Sequence, residues 1–166
     1  MHDAVFDTGP LIHLHEIDQL KIITSVFASI QIPEQVVREI TNPPILSFIQ
    51  LHSENINIHP ISEPDLFATK DAFSNFRLHL ADLAVLMLLK IHIEAVAVTD
   101  DLALRKAIES SGRTVVGTIG FPPHCATYSK FQTGMLFHAC CYGYIATMIF
   151  HLEYLRISIH ANLKPA

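Results

Sequence analysis

Basic residues are scarce in this 166-residue chain: 11 Lys and Arg stand against 16 Asp and Glu, giving a net charge of −5 with histidines neutral. Lys21, Arg38, Lys70, Arg77, Arg105, Lys106 and Arg113 are among the cations in the clearly patterned part of the chain, and they form no basic run. That excludes a broad cationic face of the kind that grips nucleic acid through its phosphates. A nucleic-acid site, if present, is expected to be local and metal-assisted. Cysteine is also rare. Cys125, Cys140 and Cys141 are odd in number and form no C-x-x-C pair, so a disulfide framework is excluded and a reducing cytosol fits best. The adjacent Cys140-Cys141 reads as core or interface packing. Met1-His2-Asp3 leads straight into an apolar strand without a basic n-region, so a signal peptide is not expected and the cytoplasm is. No serine elbow surrounds Ser53, Ser62 or Ser129. There is no internal repeat and no low-complexity segment.

Apolar residues make up half of the chain and charged ones only 16%, which excludes general disorder and predicts one domain with a real core. Short apolar strands are expected at residues 4–6, 30–32, 56–58, 95–99 and 114–116. Helices are expected from residue 11 to about 27 (one, or two short ones), over 33–40 with Pro33 as first helical residue, over 45–51, over 78–91, and over 102–110, closed by Gly112. Asn42-Pro43-Pro44 is expected to break the second of these, and residues 62–76 read as a polar surface excursion. This alternation implies a parallel sheet between two helical layers. Residues 121–166 are unusually apolar, with scattered Gly, Cys, His and Tyr. Residues 135–152 approach the roughly 20 residues of a membrane helix. His138, Tyr142 and His151 interrupt them and no basic flank orients them, so a buried or interface helix is expected rather than a membrane span.

Carboxylates occupy the ends of the expected strands. Asp7 ends the first, Glu39 lies on the helix after the second, Asp82 opens the apolar helix, and Asp100-Asp101 end the strand 95–99. Each also has a local explanation. Asp7 and one of Asp100 and Asp101 are good helix N-caps, Asp82 favours a helix dipole, and a lone Glu39 suits solvent. Brought together, such carboxylates repel unless a cation compensates. An oxygen-only ligand set favours Mg²⁺ or Mn²⁺ over zinc and suits metal-assisted phosphodiester hydrolysis.

In their order and surroundings these residues resemble a known family, the PIN-domain nucleases, which include VapC-like toxins of toxin–antitoxin pairs. Val5-Phe6-Asp7-Thr8-Gly9-Pro10-Leu11-Ile12 is similar to the first motif, and Ile32-Pro33-Glu34-Gln35-Val36-Val37-Arg38-Glu39-Ile40 to the second. Leu80-Ala81-Asp82-Leu83-Ala84 matches the third acidic position and Val98-Thr99-Asp100-Asp101 the fourth. Thr114-Val115-Val116-Gly117-Thr118-Ile119-Gly120 resembles the ending of a prokaryotic and archaeal subgroup of PIN-like proteins. The resemblance implies a PIN-like domain over residues 1–120, with 121–166 as an atypical helical segment packed on it or in an interface. It implies a three-layer α/β/α fold, an Mg²⁺- or Mn²⁺-dependent ribonuclease acting on RNA, an antitoxin as partner, and a homodimer. Asp7, Glu39, Asp82 and Asp101 would be catalytic and metal-holding, Asp100 a further ligand, and Thr8 and Thr99 hydrogen-bond donors behind the carboxylates.

Competing readings remain at this level. A non-catalytic PIN-like binding or regulatory protein would suit the scarce cations and atypical tail. A haloacid-dehalogenase-like phosphatase also places an Asp after its first strand, but it wants a second Asp where Gly9 stands. Asp7-Thr8-Gly9 is also the aspartic-protease signature, yet that enzyme is all-β and the helices here contradict it. The 11 histidines, including the pairs His13 and His15, His52 and His59, and His79 and His92, show no repeated ligand spacing and are expected on the surface or half-buried.

Overall fold

The structure, a computed structural model, describes residues 3–118. The expectations for residues 121–166, as a helical segment, an interface or a non-membrane helix, lie outside the described residues. Among the described residues no helix is long and apolar enough to cross a membrane.

Five strands are present in this region: β1 (Asp3–Phe6), β2 (Ser29–Pro33), β3 (Ile56–His59), β4 (Val96–Val98) and β5 (Val115–Val116). They form one all-parallel sheet in the order β3-β2-β1-β4-β5. Parallel neighbours need crossovers. Helices α1 (Thr8–Glu16) and α2 (Ile22–Val26) connect β1 to β2, and α3 (Glu34–Glu39) and α4 (Pro43–Leu51) connect β2 to β3. Helices α5 (Glu63–Ala72) and α6 (Leu80–Ile91) lead to β4, and α7 (Leu102–Ser110) to β5. The expected three-layer α/β/α fold with a central parallel sheet is borne out.

Strands β1 and β4 carry apolar runs without alternation, Ala4–Phe6 and Val96–Val98, because both sheet faces are covered there. Ala4, Val5 and Phe6 are all fully buried. Phe6 meets Phe27 edge-on at 5.7 Å and 83°, an arrangement worth about 0.5–1.5 kcal/mol beyond the area buried. Helix α6 is buried over most of its circumference, which explains its near-continuous apolar sequence. It lies against β2, β1 and β4, and α5 covers it through Leu66 on Leu83 and Ala84.

Four local expectations need correction. Pro33 ends β2 and caps α3 rather than opening it. Pro43 and Pro44 do not merely break a helix but begin α4. Proline's missing N–H is harmless there because the first helical N–H groups lack partners anyway. Residues 63–72 form a helix, α5, rather than an irregular excursion. The Ser62 hydroxyl accepts from the Asp65 N–H, and Asp65 sits three residues after the cap, as in a capping box. Helix α6 starts at Leu80, two residues later than expected, with His79 as its N-cap.

Candidate active site

Strand order reverses between β1 and β4, and in open α/β sheets the crevice beyond the carboxyl ends at such a reversal is where ligands bind. Phe6 pairs with Val98, and the Asp7 N–H continues the ladder by donating to the Val98 carbonyl at 3.0 Å. Asp7 and Thr99 therefore leave the sheet side by side. The Thr99 hydroxyl is fully buried and donates to Asp7 Oδ2 at 2.7 Å, while accepting from the Asp101 N–H at 3.1 Å. One threonine thus ties the two strand ends together. The other Asp7 oxygen, Oδ1, accepts from the Thr8 N–H at 2.7 Å, so Asp7 also caps α1.

Glu39 and Asp82 reach the same region from the helices. Glu39, at the end of α3, is exposed, and its Oε2 accepts from the Thr8 hydroxyl at 2.8 Å. Asp82 is buried in the first turn of α6, where its Oδ2 accepts from the His79 N–H at 2.6 Å. Asp101 caps α7 by accepting from the Leu104 N–H at Oδ1, 2.7 Å away. The local capping explanations are therefore correct for Asp7 and Asp101, and Asp82 lies in the first turn of α6, where its dipole explanation put it. They do not use up the carboxylates. Asp82 Oδ1, Asp101 Oδ2 and Glu39 Oε1 accept no hydrogen bond among the described residues.

Electrostatics show that these side chains sense one another. Burial pushes the Asp7 carboxyl above its ordinary value, the bonds from Thr99 and Thr8 oppose the rise, and the charges of Glu39 and Asp101 add to it. Asp82 is pushed up to about 6, chiefly by burial, with contributions from the Asp7 and Asp101 charges and opposition from His79. Among the described residues the ion pairs are His13–Asp100 and Arg38–Glu34, so no cationic side chain pairs with Asp7, Glu39, Asp82 or Asp101.

Asp100, grouped with the metal ligands from sequence, is turned to other partners. Its Oδ1 accepts from the Thr118 N–H at 2.7 Å, and its Oδ2 accepts from the Thr118 hydroxyl and from His13 Nδ1, the latter at 2.8 Å. Burial would raise its pKa, but the Thr118 bonds and His13 together hold it below the ordinary value. His13 was hidden among histidines without ligand spacing. Its one available signal was its place on the helix that Asp7 opens.

The donor set fits a divalent cation of the hard type. It offers carboxylate oxygens alone, several without a protein donor among the described residues, in a cluster that no side-chain cation among those residues pairs with. No three acidic, His or Cys side chains among the described residues form a ready-made cage. Carboxylate oxygens are donors that Mg²⁺ and Mn²⁺ take in preference to zinc.

The raised Asp82 pKa has a testable sign. Its folded value, about 6, exceeds the ordinary 3.8, so the folded state holds the proton more tightly and stability falls as pH rises through this interval. In EDTA the protein is expected to melt higher at about pH 5.5 than at about pH 7.5, and Asp82→Asn to recover about 1–2 kcal/mol at the higher pH after allowance for solvent screening. Thermal melts of both proteins at both pH values check this. A destabilised Asp82→Asn in EDTA would contradict it.

A family model described as a PIN domain matches residues 3–121, which covers all four acidic motifs. No curated protein matches the chain. PIN domains are generally nucleases, and the family resemblance read from the motifs is borne out over residues 3–121: the chain belongs to the PIN-domain family.

Proposed function

We propose that the protein is a metal-dependent ribonuclease that hydrolyses RNA phosphodiester bonds. The observation that carries this reading is a set of four carboxylates at the sheet reversal, coupled electrostatically and paired with no side-chain cation among the described residues. Asp7, Asp82 and Asp101, with Glu39 at the rim, would hold Mg²⁺ or Mn²⁺ directly or through water. Such an ion supplies positive charge to the phosphoryl oxygens and makes water more acidic at the site.

The chain's own groups do the rest. Thr99 and the Thr8 N–H hold the Asp7 carboxylate from both sides, so it does not swing away as charge develops. The Thr8 hydroxyl holds Glu39 across the crevice mouth. Asp82, whose Oδ1 accepts no hydrogen bond among the described residues, takes the proton of the attacking water. Water attacks the phosphorus in line, and the ester bond to the leaving oxygen breaks as the new bond forms. Asp100 is left out of the ligand set because Thr118 and His13 already occupy its oxygens.

The family resemblance extends the reading to a cytoplasmic toxin of a toxin–antitoxin pair that works as a homodimer. A non-catalytic PIN-like protein is the rival; helix capping alone would account for its acidic residues singly but not for their convergence at one crevice. Incubation of the purified protein with mixed RNA and Mn²⁺, beside an Asp7→Asn control, separates them. Cleavage by the parent alone supports catalysis. No cleavage by either supports the binding or regulatory role, and equal cleavage by both means a contaminant.

A further inference from the structure

A crevice of bare carboxylates repels the polyanion it is proposed to cut, so cations must meet the RNA strand somewhere nearby. Composition offered many candidates and no choice among them. Several are committed elsewhere: Arg38 to Glu34, Lys90 to the Thr69 hydroxyl and the Phe73 ring, and Arg113 to the His92 carbonyl. Arg105 is different. It is half-buried on the second turn of α7, just beyond the Asp101 cap, and no carboxylate ion-pairs with it among the described residues.

Its position is set by Gly117. A Cβ there would lie 2.8 Å from Arg105 Nη1 and 2.9 Å from Asp100 Oδ1. Both side chains thus converge on the space that this glycine leaves open, directly after β5. On the other side of Asp100 stands His13, bound through Nδ1 at 2.8 Å and half exposed. Thr118 donates to both Asp100 oxygens, so Asp100 accepts from His13 Nδ1 as well, and the ring is held with its Nε2 edge free of a partner among the described residues. Thr118 fixes Asp100 through its N–H and its hydroxyl. The arrangement is an anchored carboxylate flanked by a guanidinium and an imidazole, one residue from Asp101.

We propose that Arg105 forms a phosphate-contacting wall of the crevice together with His13 in its imidazolium form, which donates through Nδ1 to Asp100 and through Nε2 to the phosphate, with Asp100 as the positioning residue that holds His13. The ligand is a phosphodiester of the RNA strand flanking the one over the carboxylates. The proposal deepens the ribonuclease reading and rests on it for the identity of the strand. Asp100 is then placed next to the acidic cluster to orient a nitrogen base, which explains why its oxygens are spent on Thr118 and His13.

Binding in the full-length Asp7→Asn protein tests it without turnover, using a fluorescein-labelled single-stranded RNA of roughly 20 nucleotides and fluorescence anisotropy between about 50 and 200 mM KCl. Arg105→Gln is expected to weaken binding about five- to tenfold at the low-salt end and to flatten the slope of log K against log salt by about 0.7, the loss of one phosphate contact to a single strand. Arg105→Lys should restore most of the slope, which a merely structural arginine would not do. His13→Ala should weaken binding in the same assay, and Asp100→Asn should reproduce part of the His13→Ala loss. Unchanged affinity and slope in both Arg105→Gln and His13→Ala would overturn the proposal, as would a parent that does not bind RNA. If the wild-type protein cleaves RNA but these slopes are unchanged, the wall fails and the nuclease reading stands. If the slopes change but the wild-type protein never cleaves, the nuclease reading fails and the wall stands.

Discussion

Asp7→Asn is expected to lower RNA cleavage in Mn²⁺ by at least about a thousandfold, equivalent to roughly 4 kcal/mol of lost transition-state stabilisation. The substitution keeps the shape of the side chain and can keep the Thr8 bond, but removes the charge at the meeting point of β1 and β4. It should not unfold the protein. The buried Asp7 carboxyl already has a raised pKa, with Glu39 and Asp101 adding to the penalty on its charged form. A neutral amide relieves that penalty, so the melting temperature in EDTA should hold or rise while activity collapses. Stabilisation of the wild-type protein by Mn²⁺ should disappear in the same variant. Initial cleavage rates and melts with and without Mn²⁺ read both effects. A variant within tenfold of wild type would remove Asp7 from the chemistry.

Thr99→Val carries the second large effect. Valine fills the same space, but it neither donates to Asp7 Oδ2 nor accepts from the Asp101 N–H, the two bonds that Thr99 makes across the strand ends. Leaving a buried carboxylate oxygen without its donor costs about 1–3 kcal/mol. Cleavage should fall about 10- to 100-fold, the usual cost of losing a partner behind a metal ligand. Because the Thr99 bond lowers the Asp7 pKa, its loss raises that pKa further, so part of the lost activity should return at higher pH. Thr99→Ser keeps the hydroxyl and should stay close to wild type. Rates measured against Mn²⁺ concentration at two pH values test this. If Thr99→Val has the wild-type Mn²⁺ dependence at both, the hydroxyl does not act through the carboxylates.

The strands nearest the site were readable because burial on both faces leaves a sequence with one signature. Ala4-Val5-Phe6 and Val96-Ala97-Val98 are apolar throughout and end at polar residues that can only lie at the carboxyl edge. Asp7, Asp82 and Asp101 were readable for the same reason, since each follows a strand or opens a crossover helix, whereas Glu39 ends α3 and was legible only through the motif around it. Helix α5 was not. Its exposed face makes Glu63–Ala72 look like a polar loop, and the local signal was the Ser62 cap with Asp65 three residues on. Pro43 and Pro44 carried a signal that runs both ways, since a proline that ends one helix can open the next. Asp100 and Asp101 could not be told apart by composition. The Asp101 backbone N–H bonds to Thr99 and its side chain caps α7, while Thr118, 18 residues further along, and His13, 87 residues earlier, claim Asp100. Contacts at that separation have no local trace.

Anomalous scattering from crystals soaked in Mn²⁺ is the most direct measurement. One or two peaks are expected at the end of β1 and β4, within direct or water-bridged reach of Asp7, Asp82 and Asp101, and none at Asp100. An empty crevice beside Mn²⁺ bound elsewhere on the protein would contradict the assignment of these carboxylates as a metal centre.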